Sequence, residues 1–394
     1  MLFLVIRLST LVDVGAFGLV YTTFFMLLAA ARGLSTEPLI VRYVGVPENE
    51  WRQAAGSAAG VVLALGLAVG SCIFVCGVFW GGTVGLAFAA MAVVLPGLFV
   101  QDAWRLALFS QGNPRSACAN DAVFLVIQIL VYVSIAWYGT LTMIALIVGW
   151  GMAATAAAAF GVIQTRTVPR LRRVRSWLRA HKDIGPAFAA DYVVNRGAEQ
   201  ITLVVISAVG GLGALGAVTA SRSLFAPLTT VQSGINSFAL PEIARLHAER
   251  QFGPLHRFLW TVAIGMGMLM LAGGLVLWLV PQGIGTAIFN DNWRPARSLL
   301  LVMTVFSILN AVGYGLWIGL RGMAVAKETL VFRGVFGLVM VLAAGIGVHF
   351  SGAAGAVWGM ALAAAGLGAG MAWLVAKTLR HQRIDGTITR DHEA

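Results

Sequence analysis

Phe258–Val280 reads FLWTVAIGMGMLMLAGGLVLWLV, without one charged residue. A helix of about 20 residues rising 1.5 Å each crosses the roughly 30 Å of bilayer hydrocarbon, and this run is long enough. Lipid offers no partner to an exposed N–H or C=O, so the run must be helical. Ser298–Leu320 repeats the pattern. Of the 394 residues, 59% are hydrophobic and 11% charged, and the mean hydropathy is +0.85. A water-facing surface cannot be built from that composition.

Working outward by apolar length and breaker residues, spans are expected at 14–34, 55–79, 83–109, 117–137, 141–163, 185–209, 213–238, 257–280, 298–319, 329–348 and 353–376. Met1–Ser9 is apolar but too short to cross, and reads as the tail of a twelfth span cut off at its start. Basic loop residues are retained in the cytoplasm. With that stub ending outside, Arg42, Arg52, Arg115, Arg166 to Lys182, Arg245, Arg250, Arg257, Arg321, Lys327 and the basic residues of 377–390 fall inside. Only Arg294 and Arg297 fall outside. Both termini are then cytoplasmic if the stub counts as a span. The net charge of +11 is thus explained by topology, and no nucleic-acid partner is implied. Cys72, Cys76 and Cys118 lie in or beside apolar stretches without metal-ligand spacing to histidine, and read as packing residues.

The longest polar interruption is RTVPRLRRVRSWLRAHKDI, 166–184, where Leu171, Val174 and Leu178 recur on one face among arginines. It is expected to lie on the inner leaflet, held by anionic headgroups with Trp177 at the membrane surface, or else to be a plain basic linker. It divides two similar halves. Gly15-Ala-Phe-Gly18 opens one helix and Gly213-Ala-Leu-Gly216 opens another 198 residues later. Each helix runs to a proline and an arginine, Pro38…Arg42 and Pro241…Arg245. Gly112 and Gly322 close helices 210 residues apart. The economical architecture is all-α: two parallel, pseudo-symmetric six-helix repeats around a central cavity near the bilayer midplane, the first helix incomplete. The expected organisation is 1–163 as the first repeat, 164–184 as the basic amphipathic linker, 185–378 as the second repeat and 379–394 as a cytoplasmic tail.

Arg7…Asp13-Val-Gly-Ala-Phe-Gly18, Gly213-Ala-Leu-Gly216…Pro241-Glu-Ile-Ala-Arg245 and the basic linker together resemble the multidrug/oligosaccharidyl-lipid/polysaccharide exporter superfamily over essentially the whole chain. Within it they are most similar to flippases for lipid-linked O-antigen and capsule repeat units. Such proteins begin with a complete helix, of which about half is absent here. The resemblance implies a multi-pass protein of the cytoplasmic membrane whose substrate is a lipid-linked oligosaccharide.

Charges inside the spans nominate a site. Arg7, Arg32, Arg105 and Arg333 lie near helix ends and can snorkel to headgroups, and Asp102 can pair with Arg105 one turn away. Arg196 and Arg222 lie about ten residues inside, where a charge costs at least about 2.5 kcal/mol. Asp191, Asn195 and Glu199 recur every four residues, beside the row Tyr192, Arg196 and Gln200. Arg222, Thr229, Ser233 and Asn236 share a face of the next helix. As a wet cavity wall, Arg196 and Arg222 would hold a diphosphate, with Gln200, Asn195, Ser233 and Asn236 as further substrate contacts. Asp191 and Glu199 would couple transport to a proton or sodium ion. The other reading is a neutralised Arg196–Glu199 and Arg222–Asp191 network that only pins helices together.

The sequence therefore points to a transporter, not an enzyme, that flips polyprenyl-diphosphate-linked oligosaccharide outward, alongside glycosyltransferases and a polysaccharide polymerase. No metal or organic cofactor is implied. A cation-coupled multidrug antiporter is the second reading, opposed by two midspan arginines. A membrane glycosyltransferase or polymerase is the third, opposed by an outer loop, 282–298, with the single acid Asp291. An inactive paralogue would follow from the short first helix. No Gly-x-x-x-x-Gly-Lys-Ser/Thr loop is present for ATP.

Overall fold

The computed structural model describes residues 2–43, 46–139, 141–323 and 326–391. Within its helices, the side chains at 187–188, 191–196, 237–238, 240–241, 244, 248, 322, 326–327 and 381–391 lie outside that description. The helices are α1 (Leu2–Leu8), α2 (Leu11–Leu34), α3 (Thr36–Arg42), α4 (Glu48–Trp80), α5 (Gly82–Ser110), α6 (Pro114–Trp137), α7 (Met143–Thr165), α8 (Val174–Ala180), α9 (Gly185–Leu224), α10 (Ala226–Ala248), α11 (Phe252–Leu279), α12 (Gln282–Phe289), α13 (Trp293–Ser298), α14 (Leu300–Gly322) and α15 (Ala326–Asp391). No strand occurs among the described residues. Nine helical stretches among them are long and apolar enough to cross a membrane. The chain folds as two compact units, Met1–Gln200 and Ile201–Ala394.

Two of the nine stretches contain a break, at Gly211 and Gly352, so each joins parts of two expected spans. At Gly352 the backbone turns to φ 57°, ψ −145°, a region open essentially to glycine alone. The two arms of α15 then pack antiparallel: Gly347 meets Gly355, Ala343 meets Gly359, and Phe336 meets Gly366. Gly81, at φ 68° and ψ −169°, makes a comparable reversal between α4 and α5. There a Cβ on Gly77 would lie 2.7 Å from the Gly85 carbonyl oxygen, and one on Gly66 2.8 Å from Pro96 Cα. Such approaches suit membrane helices, whose association rests on close backbone packing rather than expelled water. Gly211, φ 78° and ψ 168°, interrupts α9 in the same way.

In the first unit α5 is the central helix. It packs antiparallel to α4 and parallel to α7, where Gly97 faces Thr155 and Gly161 faces Trp104. In the second, α14 packs antiparallel to α11, Gly315 on Ala263 and Gly319 on Leu259, and rests on the last hairpin where Gly313 faces Gly368.

Three expectations need correction. The span 213–238 is not one helix: α9 ends at Leu224 and α10 begins at Ala226, with Pro227 in its first turn removing an N–H the helix would need. The segment 282–298, expected as an outer loop, is not a plain loop, because α12 and α13 fold over stacked, buried Phe289 and Trp293. Trp177 does not reach the membrane surface. It is buried against the first unit, its indole N–H donating to the Leu34 carbonyl at 3.2 Å, an acceptor left over at the end of α2.

Candidate functional site: a polar wall in the second unit

In the second half of α14, Asn310, Tyr314, Trp317 and Arg321 follow spacings of four, three and four and share one face. Asn310 and Arg321 are exposed, and Tyr314 and Trp317 partly so. Around them Ala311, Gly313, Gly315, Leu316, Ile318, Gly319 and Leu320 are buried against α11 and the last hairpin. An exposed asparagine deep in a spanning helix cannot look at hydrocarbon without losing its hydrogen bonds, so this face looks at water.

Arg333 of α15 sits over the Trp317 ring at 4.7 Å from its centroid, and Arg321 at 5.6 Å. Tyr314 and Trp317 are neighbours at 5.4 Å. Each cation is drawn to the ring's negative face, which helps fix its position. A small cavity of about 70 Å³ opens between Asn310, Tyr314, Trp317, Arg333 and the last helix at Met371.

The anticipated face of α10 joins this wall. Thr229 and Ser233 are exposed, and the Asn236 amide N–H donates to the Tyr314 hydroxyl at 3.4 Å. Ser233 itself donates to the Thr229 carbonyl at 3.1 Å. Arg222 lies in the last turn of α9, beside the break. The carbonyls that end α9 and the negative end of its dipole favour a cation there, so the charge is less anomalous than the sequence implied. From Ala226 to Pro241 of α10, and along all of α14, there is no carboxylate.

The remaining nominated residues belong to the first unit. Gln200 is buried and donates to Thr23 Oγ1 at 2.7 Å, while its carbonyl oxygen has no hydrogen-bond partner among the described residues. Glu199 is partly buried. The side chains of Asp191, Asn195 and Arg196 lie outside the described residues, as does any pairing of Arg196 with Glu199.

One charged centre was only half anticipated. Asp102, almost wholly buried, does receive Arg105 at 2.8 Å, as their spacing suggested. It also accepts two parallel bonds from Arg32, at 2.6 Å and 2.5 Å. Arg32 therefore does not merely snorkel; it clamps α2 to α5. Next to it Gln101 donates to Asp121 at 3.2 Å, and Asn120 donates to the Ala157 carbonyl and to Gln164. Helices α5, α6 and α7 are thereby tied by amides. The bond from Arg32 spans 70 positions, and only the packing of α2 on α5 brings its ends together.

No family model matches the chain, and no curated protein matches it. Solved structures do. An inward-facing multidrug resistance MATE family transporter of the MOP superfamily is 16% identical with a TM-score of 0.76, over 97% of this chain and 93% of that one. The lipid II flippase MurJ in an inward closed conformation is 11% identical with a TM-score of 0.74, over 98% and 87%. A MOP superfamily transporter from Pyrococcus furiosus, described as having a binding pocket of reverse polarity that suggests a different function, is 16% identical with a TM-score of 0.60, over 94% and 88%. The chain is thus a multi-pass helical protein with the fold of MOP-superfamily transporters, as its sequence resemblance implied.

Proposed function

We propose that this protein flips a polyprenyl-diphosphate-linked oligosaccharide from the inner to the outer leaflet of the cytoplasmic membrane. The fold is about equally close to a multidrug resistance transporter and to a lipid II flippase, so the choice rests on the chemistry of the wall. The observation that carries it is the open α14 face, where amide, phenol, indole and guanidinium follow one another and Arg333 joins them. Aromatic rings pack against sugar C–H faces, amides exchange hydrogen bonds with hydroxyls, and arginines pair with phosphate oxygens. A cationic drug would need carboxylates on such a face, and the nearly buried Asp102 of the first unit is already held by two arginines.

In this reading Arg222 adds to the cationic side of the wall in the second unit, and Ser233 and Asn236 to the polar one; Arg196, Asn195 and Gln200 of the first unit are separate candidate substrate contacts. Asp191 or Glu199 takes the coupling ion. The polyprenyl chain stays in lipid. Glycosyltransferases supply the substrate and a polymerase consumes it.

The test is reconstitution. In proteoliposomes, a labelled polyprenyl-diphosphate oligosaccharide should become accessible to an external impermeant glycosidase only when the protein is present. Trp317→Ala and Arg333→Ala should slow this at least about tenfold, the loss of one 1.4 kcal/mol interaction. Ethidium movement driven by a proton or sodium gradient, with no lipid-linked sugar movement, would replace the flippase reading with the antiporter.

A further inference from the structure

The segment 166–182 is held to the first unit by one side only. Trp177 and His181, one turn apart, are buried with ring centroids 4.1 Å apart, and Tyr43 stacks on Trp177. Arg42 donates to the Ala180 carbonyl at 3.0 Å and pairs with Asp183. Upstream, the Arg170 N–H donates to the Gly56 carbonyl at 2.8 Å, where the absence of side chains at Gly56 and Gly60 lets the segment lie on α4.

At about 100° per residue, Trp177 and His181 occupy one arc of this segment. Leu171, Val174 and Leu178 fall on the adjoining arc, and Arg172, Arg175 and Arg179 on the next. The apolar arc, expected from the sequence, is not what packs on the protein: Leu171 is 48% exposed, Leu178 38%, and Val168 before them 58%. Arg166, Arg172, Arg173, Arg175, Arg179 and Lys182 are exposed as well. The order around the helix is protein contact, apolar strip, basic strip. That is the order a helix needs when it is wedged between a membrane protein and the surface of the leaflet, with its leucines at the acyl boundary and its arginines among the headgroups.

We infer that 166–182 is a docking surface for the anionic phospholipids of the inner leaflet, with Leu171 and Leu178 entering the headgroup layer and Arg172, Arg175 and Arg179 pairing with lipid phosphates. The assignment is independent of what the protein transports. Cations near an anionic leaflet act additively, and three arginines together give an effect well above tenfold. Neutral lipid lacks that attraction, so the segment there leaves its leucines in water for more of the time.

Leu178→Cys, in protein whose exposed Cys72, Cys76 and Cys118 are replaced by serine, reports this directly. The protein is placed in bilayers of phosphatidylcholine alone or with phosphatidylglycerol, and labelling by a membrane-impermeant maleimide is timed. The expected result is labelling at least about tenfold slower in the anionic bilayer, with the difference lost in Arg172→Gln/Arg175→Gln/Arg179→Gln. The wild-type arginine arm alone decides the matter if that variant folds poorly. Equal rates in the two bilayers, fast or slow, would overturn the inference. So would slowing in neutral bilayers on adding millimolar inorganic phosphate, which would reveal a site for a soluble anion instead.

Discussion

Replacing Asp102 by asparagine keeps its size and removes its charge, which makes it a sharp probe of the clamp between α2 and α5. Three short charge-assisted bonds end on this carboxylate, two from Arg32 and one from Arg105. Each such bond contributes about 1.5 to 3 kcal/mol, and removing one partner of a buried pair costs about 3 to 5. The arginine side chains are 28% and 34% exposed, so water recovers part of that loss and the lower end applies. The expected cost of Asp102→Asn is about 3 kcal/mol, a factor of about 150 in the folding equilibrium. Arg32→Gln should cost less, because it leaves Asp102 with Arg105. The double variant should fall short of the sum by about 1 to 2 kcal/mol. Reversible unfolding by sodium dodecyl sulfate in mixed micelles, followed by tryptophan fluorescence, gives all three values. A cost below about 0.5 kcal/mol with additive single variants would show that the clamp does not hold the helices.

Further expectations concern packing, pH and surface charge. Gly355→Ala should destabilise by about 1 to 3 kcal/mol because its Cβ would overlap the Gly347 backbone, whereas Gly334→Ala, with open space at its Cβ, should stabilise by up to about 1, both read by the same titration. Burial, with Arg42 nearby, holds His181 below the usual histidine value. Its contribution to seating α8 is therefore fully present above about pH 6.5 and shrinks as pH falls toward the lowered value, so tryptic cleavage within 172–179 should quicken near pH 5.5 and should not in His181→Phe. Arg245 keeps Glu242 below the ordinary carboxylate range, but the pair is exposed. Arg245→Gln should leave the midpoint of that titration unchanged within measurement error.

What could be read from the sequence divides along physical lines. Spans such as Phe258–Val280 were plain because bilayer thickness fixes their length, and all but 213–238 survive as helices or hairpin arms. The break at Phe225 was missed because Pro227 lies mid-run, where hydropathy barely changes. The linker's periodicity was legible, but not which arc would be buried: Trp177 turned inward because a carbonyl at the end of α2 awaited a donor. The α10 face with Ser233 and Asn236 was found from polar spacing. The α14 face was passed over because Tyr314 and Trp317 count as apolar, and Arg321 had been assigned to topology. The spacing 310, 314, 317, 321 was visible all along; what the sequence lacked was the burial of Ala311, Gly313, Gly315, Leu316, Ile318, Gly319 and Leu320 around it.

The central claim is that this α14 face borders an aqueous path. Single cysteines placed from 309 to 321, after replacement of the three native ones, can be challenged with a membrane-impermeant maleimide in intact bilayers. The account predicts labelling at 310, 314, 317 and 321, and protection at 311, 315, 316, 318 and 319. Uniform protection, or labelling without that four-three-four rhythm, would contradict it.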